Sequence, residues 1–432
     1  MLLIGDLHGG HPGGCHLHWT EGGFKKMKRI TGGIGLALVL ATSMAQAAIQ
    51  EIRATFRPDP SQPNKNVFIN QTPNSGYCAN YPEQCADNTT FSIQLPIRFT
   101  SNGTIKPYWG VGIKVPANWR RLTVTNADTQ EVETVEVRIT GIGSNYVLSD
   151  PAHELVGVSD PLAGHQQLWE SSWVYAPSPC LYSGVGAYTP ATYRFFWKAP
   201  AEGYCTKKTM YSIPSMYFDT LDFAYELRTP NPLGMSSGQY TGSMTYSVGG
   251  GGDFDIGGGF QSDDSTLTLD FVLDVQHTLK VDVPSGGNHI VLEPQGGWRS
   301  WLENGRKPVR LYRDQIFHIS ASSKFTMKLE CEHSMGVGSG CAIIDRETRY
   351  GGVVDVSVSL PNGLTDGAGQ AVKRFPLRPQ TSPVFQPSIY VDRKPGTLHF
   401  EVDKNYTDLL IDNAKGRPYQ GNITVIWDSE VG

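Results

Sequence analysis

Thr266-Leu267-Thr268-Leu269-Asp270-Phe271-Val272-Leu273-Asp274-Val275 sets Leu267, Leu269, Phe271, Leu273 and Val275 on one face of the chain. Thr268, Asp270, Val272 and Asp274 lie on the other. Alternation sustained over such a length is the period of a half-buried β-strand. Just beyond Gln276 and His277 a second alternating run opens with Leu279, Val281 and Val283, and no turn residue separates the two. One strand feeding almost directly into another predicts a short, stiff junction between two folded units.

The same period recurs along the chain. Phe91–Phe99, Val135/Val137/Ile139, Tyr193/Phe195/Trp197, Phe325/Met327/Leu329, Val354/Val356/Val358/Leu360, Leu398/Phe400/Val402 and Ile423/Val425/Trp427 all alternate. Gly, Pro, Asn and Asp clusters separate the runs, as in antiparallel sandwiches. No amphipathic helix of three or more turns stands out. The expected class is all-β, with sandwiches of the immunoglobulin sort. A second boundary candidate is the glycine run Gly249–Gly252 with Gly257–Gly259, readable either as a linker or as a long hairpin tip.

The 432 residues allow more than one domain. Charged residues are 18% and aromatics 10%, which excludes coiled coil and disorder and leaves enough apolar material for real cores. The net charge is −5 and no basic stripe appears, so nucleic acid is not an expected partner.

Lys25, Lys26, Lys28 and Arg29 precede an apolar run from Ile34 to Met44 and then Ala45-Gln46-Ala47. Basic region, short apolar core and A-x-A site make a secretory signal peptide; the core is shorter than the about 20 residues that span a bilayer. Residues 27–47 are therefore read as a signal peptide starting at Met27 and cleaved after Ala47. Residues 1–26 are read as an over-extended gene start, so the His8, His11, Cys15, His16 and His18 group is discounted as a metal site.

Seven cysteines are present, an odd number that is awkward for an exported chain. Setting Cys15 aside leaves Cys78, Cys85, Cys180, Cys205, Cys331 and Cys341 in three close pairs. Neighbour pairing is the simplest of the open connectivities and suits an oxidising compartment.

Enzyme signatures are weak. Gly234-Met235-Ser236-Ser237-Gly238 matches G-x-S-x-G, but a nucleophile elbow needs a strand before it and a helix after it. Here Pro230 and Pro232 precede and a strand-like run follows. The histidines are scattered, and Asp263-Asp264 sits in a polar turn. No catalytic, metal or cofactor site is expected. The aromatic group Trp169, Trp173 and Tyr175 offers faces for sugar rings, and Arg120 and Arg121 offer charge for an acidic sugar; the competing reading makes these tryptophans core.

The second half carries a recognisable pattern: Val291-Leu292-Glu293-Pro294-Gln295-Gly296-Gly297-Trp298, Phe317-His318-Ile319-Ser320, Phe325–Leu329, and the closing Gly416-Arg417-Pro418-Tyr419-Gln420-Gly421-Asn422-Ile423-Thr424-Val425-Ile426-Trp427. Over about residues 265–432 it resembles the CblD/CfaE-like minor subunits at the tips of chaperone–usher fimbriae. That resemblance implies an N-terminal adhesin domain (48–274), a short linker (275–277) and a C-terminal pilin domain (278–432) lacking its last strand. It further implies export through the periplasm to a fimbrial tip on the cell surface, where the chain initiates pilus assembly and adheres to host cells. The implied partners are a periplasmic chaperone, an outer-membrane usher, the major pilin through its N-terminal donor strand, and a host glycoprotein or glycolipid receptor. Ile423, Val425 and Trp427 would flank the groove filled by donor-strand complementation. Pro58, Pro60 and Pro63 make residues 48–66 a poor donor strand. Some family adhesins use arginines before the first disulfide and on a late adhesin strand; Thr72–Tyr77 and Val248–Gly252 contain none, so that receptor site is not carried over.

Two readings compete. A secreted carbohydrate-binding sandwich or glycan-active enzyme would show a complete C-terminal sandwich or facing carboxylates. A structural pilus initiator would lack receptor binding.

Overall fold

The computed structural model describes residues 47–86, 90–336 and 340–429. Residues 1–46, which hold the segment read as a signal peptide up to its last residue and the stretch upstream of it, lie outside the described residues. The architecture is all-β, with strands joined by turns and a few short helices. Two large apolar cores form, one from Ile52 to Val275 and the other from Ile290 to Val425, with a small third cluster around Tyr77, Cys78, Cys85 and Phe196.

In the first unit the long strand Val132–Leu148 organises the sheet. Its start pairs with Arg120–Asn126, and its later part pairs with Thr192–Lys198. On its other edge Leu221–Arg228 gives way to Met216–Phe218. Changing neighbours mid-strand joins all four partners into one sheet. At Gly143 the strand Thr192–Lys198 approaches closely: a Cβ there would meet the Phe195 carbonyl at 2.5 Å. The opening run, Thr266–Val275, is a strand as its alternation predicts, and pairs with Gly238–Ser247. Its other neighbour is Ala48–Phe56, which runs parallel to it from Ala48↔Leu267 to Phe56↔Val275. The segment dismissed as a donor strand is thus a strand of its own unit up to Phe56, and the prolines follow it.

The glycine run forms a tight loop, with Gly249 N–H donating to the Phe254 carbonyl and Gly252 N–H to the Gly249 carbonyl. Its residues pack on the first core through Phe254 and Ile256, so the hairpin-tip reading holds and the linker reading does not.

At the junction, Val275 ends one strand and Leu279 begins the next. His277 fills the gap. Its ring meets Phe56 edge-on at 5.6 Å, Nε2 lies 2.8 Å from the Met235 carbonyl and Nδ1 3.1 Å from Ser322 Oγ. A carbonyl only accepts, so Nε2 carries the proton and Nδ1 accepts from the serine.

The second unit is a sandwich of two sheets. One runs Leu279–Asp282, Leu311–Ala321, Val391–Val402, Gly351–Ser359, Cys341–Ile344, with Phe375–Leu377 added on Gly351–Ser359. The other runs Leu364–Asp366, Val384–Pro387, Phe325–Cys331, Ile423–Ser429. A ten-residue helix, Lys404–Asn413, capped by the Asp403 carboxylate, packs Leu410 into the core.

Candidate functional site

Of the four sheet edges of the second sandwich, two carry no further bridge among the described residues, the other two being bridged by Gln420 and Ala371. Among the described residues Ile423–Ser429 pairs only with Phe325–Cys331, from Cys331↔Ile423 to Phe325↔Ser429. Among the same residues Leu279–Asp282 pairs only with Leu311–Ala321. Ile423 and Val425 point into the core, while Trp427 is half-buried, its ring 5.6 Å from Phe317. Leu279, Val281 and Val283 are also half-buried against the same core. Each edge therefore carries incompletely covered apolar side chains of the second core, and among the described residues no strand pairs on its free side. An edge of this kind is a template for another chain.

The three cysteine pairs are bonded as neighbours: Cys78–Cys85, Cys180–Cys205 and Cys331–Cys341. Cys331–Cys341 links a strand of one sheet to a strand of the other.

The receptor reading of the aromatic group is corrected for its two tryptophans. Trp169 is 1% exposed and Trp173 is fully buried. Trp173 stacks on Trp197 at 5.0 Å and meets Trp169 edge-on at 4.9 Å. The Trp169 indole N–H donates to the Tyr146 hydroxyl, which lies 2.8 Å from His165 Nδ1. These rings are core: the Trp169 indole is satisfied by its hydrogen bond, while the Trp173 N–H is buried without a partner and its ring is held by packing against Trp197, Trp169 and Phe195. Tyr175 is 61% exposed and stacks on Tyr182. Arg120 is engaged by Asp253 and lies over the Tyr246 ring. Arg121 is exposed and paired with Glu136 at 2.8 Å. The structure does not bring these residues to one site.

Sequence reasoning missed a different aromatic face. Gly110–Ile113 and Cys205–Lys208 form a two-stranded ladder. Around it Tyr108, Trp109, Tyr204, Met210 and Tyr211 are exposed. The available signal was Lys106-Pro107-Tyr108-Trp109-Gly110, an aromatic pair between turn residues, with Tyr204 beside a cysteine. Under the face lies Lys207, 1% exposed, donating to the Ser172 carbonyl at 3.0 Å. Desolvation lowers its pKa to about 8.

The G-x-S-x-G segment is a turn at the junction: a 3-10 turn, Pro232–Gly234, precedes it and the strand Gly238–Ser247 follows. A Ser–His–Asp chain exists elsewhere, with Asp314 2.7 Å from His399 Nδ1 and Ser359 Oγ 2.8 Å from Nε2. It lies across neighbouring strands of a sheet face, and Ser359 Oγ already accepts the Arg374 N–H at 3.0 Å. That arrangement ties three strands together and leaves the serine oxygen engaged.

No family model and no curated protein matches the chain. Solved structures align along most of its length. A chain from a chaperone–tip adhesin complex of CFA/I fimbriae biogenesis is 12% identical, over 89% of this chain and 97% of that one, with a TM-score of 0.23. CfaE, the adhesive subunit of the CFA/I fimbria of enterotoxigenic Escherichia coli, is 9% identical over 89% and 98%, with a TM-score of 0.22. A chain of the CsuC–CsuE chaperone–tip adhesion subunit pre-assembly complex from Acinetobacter baumannii Csu pili is 9% identical over 89% and 99%, with a TM-score of 0.21. Such values establish neither a family nor a function.

Proposed function

We propose that the chain is a minor tip subunit of a chaperone–usher fimbria, which initiates pilus assembly and adheres to host-cell receptors. On this reading residues 48–274 are the adhesin domain, 275–277 the linker and 278–432 a pilin domain that takes its missing strand from another chain. The observation that carries the reading is the pair of bare edges flanking half-buried Leu279, Val281 and Trp427. An inserted strand would satisfy the free backbone groups of both edges and cover their half-buried apolar side chains. A periplasmic chaperone supplies that strand first; the N-terminal donor strand of the next pilin replaces it at the usher. The sequence pattern ending in Tyr419-Gln420-Gly421-Asn422-Ile423 supports the same reading.

The experiment is co-production in a bacterial periplasm with and without a fimbrial chaperone. The chaperone should co-purify with the chain and raise its soluble yield. A chain that accumulates alone as a soluble monomer, indifferent to the chaperone, contradicts the proposal.

A further inference from the structure

Trp109 is 52% exposed and is the only tryptophan among the exposed large apolar side chains of the described residues. It stands on rigid backbone. The Trp109 carbonyl accepts the Thr209 N–H at 3.0 Å, and its own N–H donates to the Lys106 carbonyl at 3.1 Å. The indole lies against Gly259, where a Cβ would come within 3.8 Å of it. Tyr108, 71% exposed, is tied by its N–H to the Thr209 carbonyl. The Tyr204 hydroxyl donates to the buried Asp255 carboxylate at 2.7 Å. The Cys180–Cys205 bond anchors the ladder beneath. The Trp109 and Tyr204 rings are held in place and still face solvent, so little freedom is lost when a ligand stacks on them.

Charge surrounds the rings. Lys208 projects on the outward side of the ladder, alternating with buried Lys207; Lys106 is exposed in the turn before Tyr108. The Lys114 ammonium sits 5.6 Å from the centre of the Tyr204 ring. None of these three lysines has an ion-pair partner among the described residues. Two acids lie near: Glu170 runs beside Lys208, its N–H bonded to the Lys208 carbonyl, and Asp255 is buried beneath the Tyr204 hydroxyl.

The face also occupies the end of the unit far from the junction. Gly238 and Val275 lie at the junction end of their strands, and Ser247 and Thr266 at the other. Ten strand residues span about 33 Å. The glycine loop caps that far end, and Asp255 exchanges backbone hydrogen bonds with Lys114 at 3.1 and 2.8 Å, joining loop to ladder.

We propose that the Tyr108/Trp109/Tyr204 face is a glycan-docking platform for a sugar chain bearing a carboxylate, with ring stacking on the aromatics and the acid drawn to the flanking ammonium groups, of which Lys208, opposite Gly110 beside Trp109, is the nearest in the ladder. Aromatic faces suit the apolar side of a pyranose, and unpaired ammonium groups suit a single anionic sugar. A long sulfated polyanion is disfavoured by a chain whose net charge is −5. The inference rests on the adhesin reading and places its receptor contact on residues that the sequence reading did not select.

The test is biolayer interferometry of the full exported chain over immobilised sialyllactose, lactose and a heparin oligosaccharide, with thermal melts to show that each variant is folded. Sialyllactose should bind and lactose should bind far more weakly. Trp109→Ala should weaken binding at least about tenfold, as loss of a central aromatic anchor does. Lys208→Glu should weaken it too, while Tyr175→Ala on the separate Tyr175/Tyr182 patch should leave it unchanged. Heparin binding as tight as sialyllactose, no sialyllactose binding, or a Trp109→Ala variant of wild-type affinity overturns the platform. Attachment to host cells that survives Trp109→Ala sinks the platform and spares the adhesin reading; a wild-type chain that attaches to no cells sinks the adhesin reading itself.

Discussion

Burial holds His277 and His165 in the neutral form. Desolvation is the main cause for each and pushes the pKa below the ordinary value. The His165 Nε2 lies 2.7 Å from the Thr189 carbonyl, so its Nδ1 accepts from Tyr146. The unfolded chain, with histidines near about 6.5, binds more protons than the native chain below that pH. Stability from these two sites is therefore complete above about 6.5 and falls as the pH drops through it. Urea midpoints should decline between pH 7.5 and 5.5, and His277→Gln should flatten the decline. A wild-type midpoint constant over that range would contradict the account. At the same scale, Trp173→Ala should cost about 3–5 kcal/mol, as large aromatic deletions from a core do. Denaturant titration measures it, and a change below about 1 kcal/mol would return Trp173 to the surface. The tryptophan cluster was visible in the sequence, but its direction was not. Trp169 neighbours Thr209 on the ladder and turns inward, while Trp109, also bridged to that region, turns out. Only tertiary packing separates the two.

Alternation made the strands legible because one face of each meets a core. Thr266–Val275, Phe325–Cys331 and Ile423–Ser429 fall where the pattern puts them. Ala48–Phe56 escaped, since its partner lies more than two hundred residues away and the nearby prolines dominate its composition. The helix Lys404–Asn413 escaped because its buried residues are few, Thr407 and Leu410. The cysteine pairs were legible from spacing, and their structural consequence can be measured. Cys331–Cys341 staples the two sheets of the second sandwich. Replacing both by serine should lower stability by about 2–5 kcal/mol, read as a denaturant midpoint shift. Non-reducing peptide mapping should recover all three neighbour pairs, and a cross-pair or free thiol among the six would contradict them.

For the whole molecule, the mature chain should start at or near Ala48. That residue is the first of the strand paired with Thr266–Val275, so cleavage after Ala47 would leave the strand intact. N-terminal sequencing of exported protein checks this, and a mature peptide from residues 1–26 would refute it. The larger question is whether the bare edges of the second sandwich accept a strand. A donor strand burying four or five apolar side chains would gain about 1.5–3 kcal/mol for each, comparable with the ~5–15 kcal/mol stability of a typical domain. Val425→Asp, a charge placed in the core beside the groove, should abolish that gain. The decisive measurement is thermal unfolding of the exported chain with and without a pilin donor strand fused after Gly432 through a flexible linker. The account predicts a cooperative transition shifted well upward by the fused strand and a lower, aggregation-prone transition without it. Identical melting of the two chains would show that no strand-accepting groove exists, and the tip-subunit proposal would fail with it.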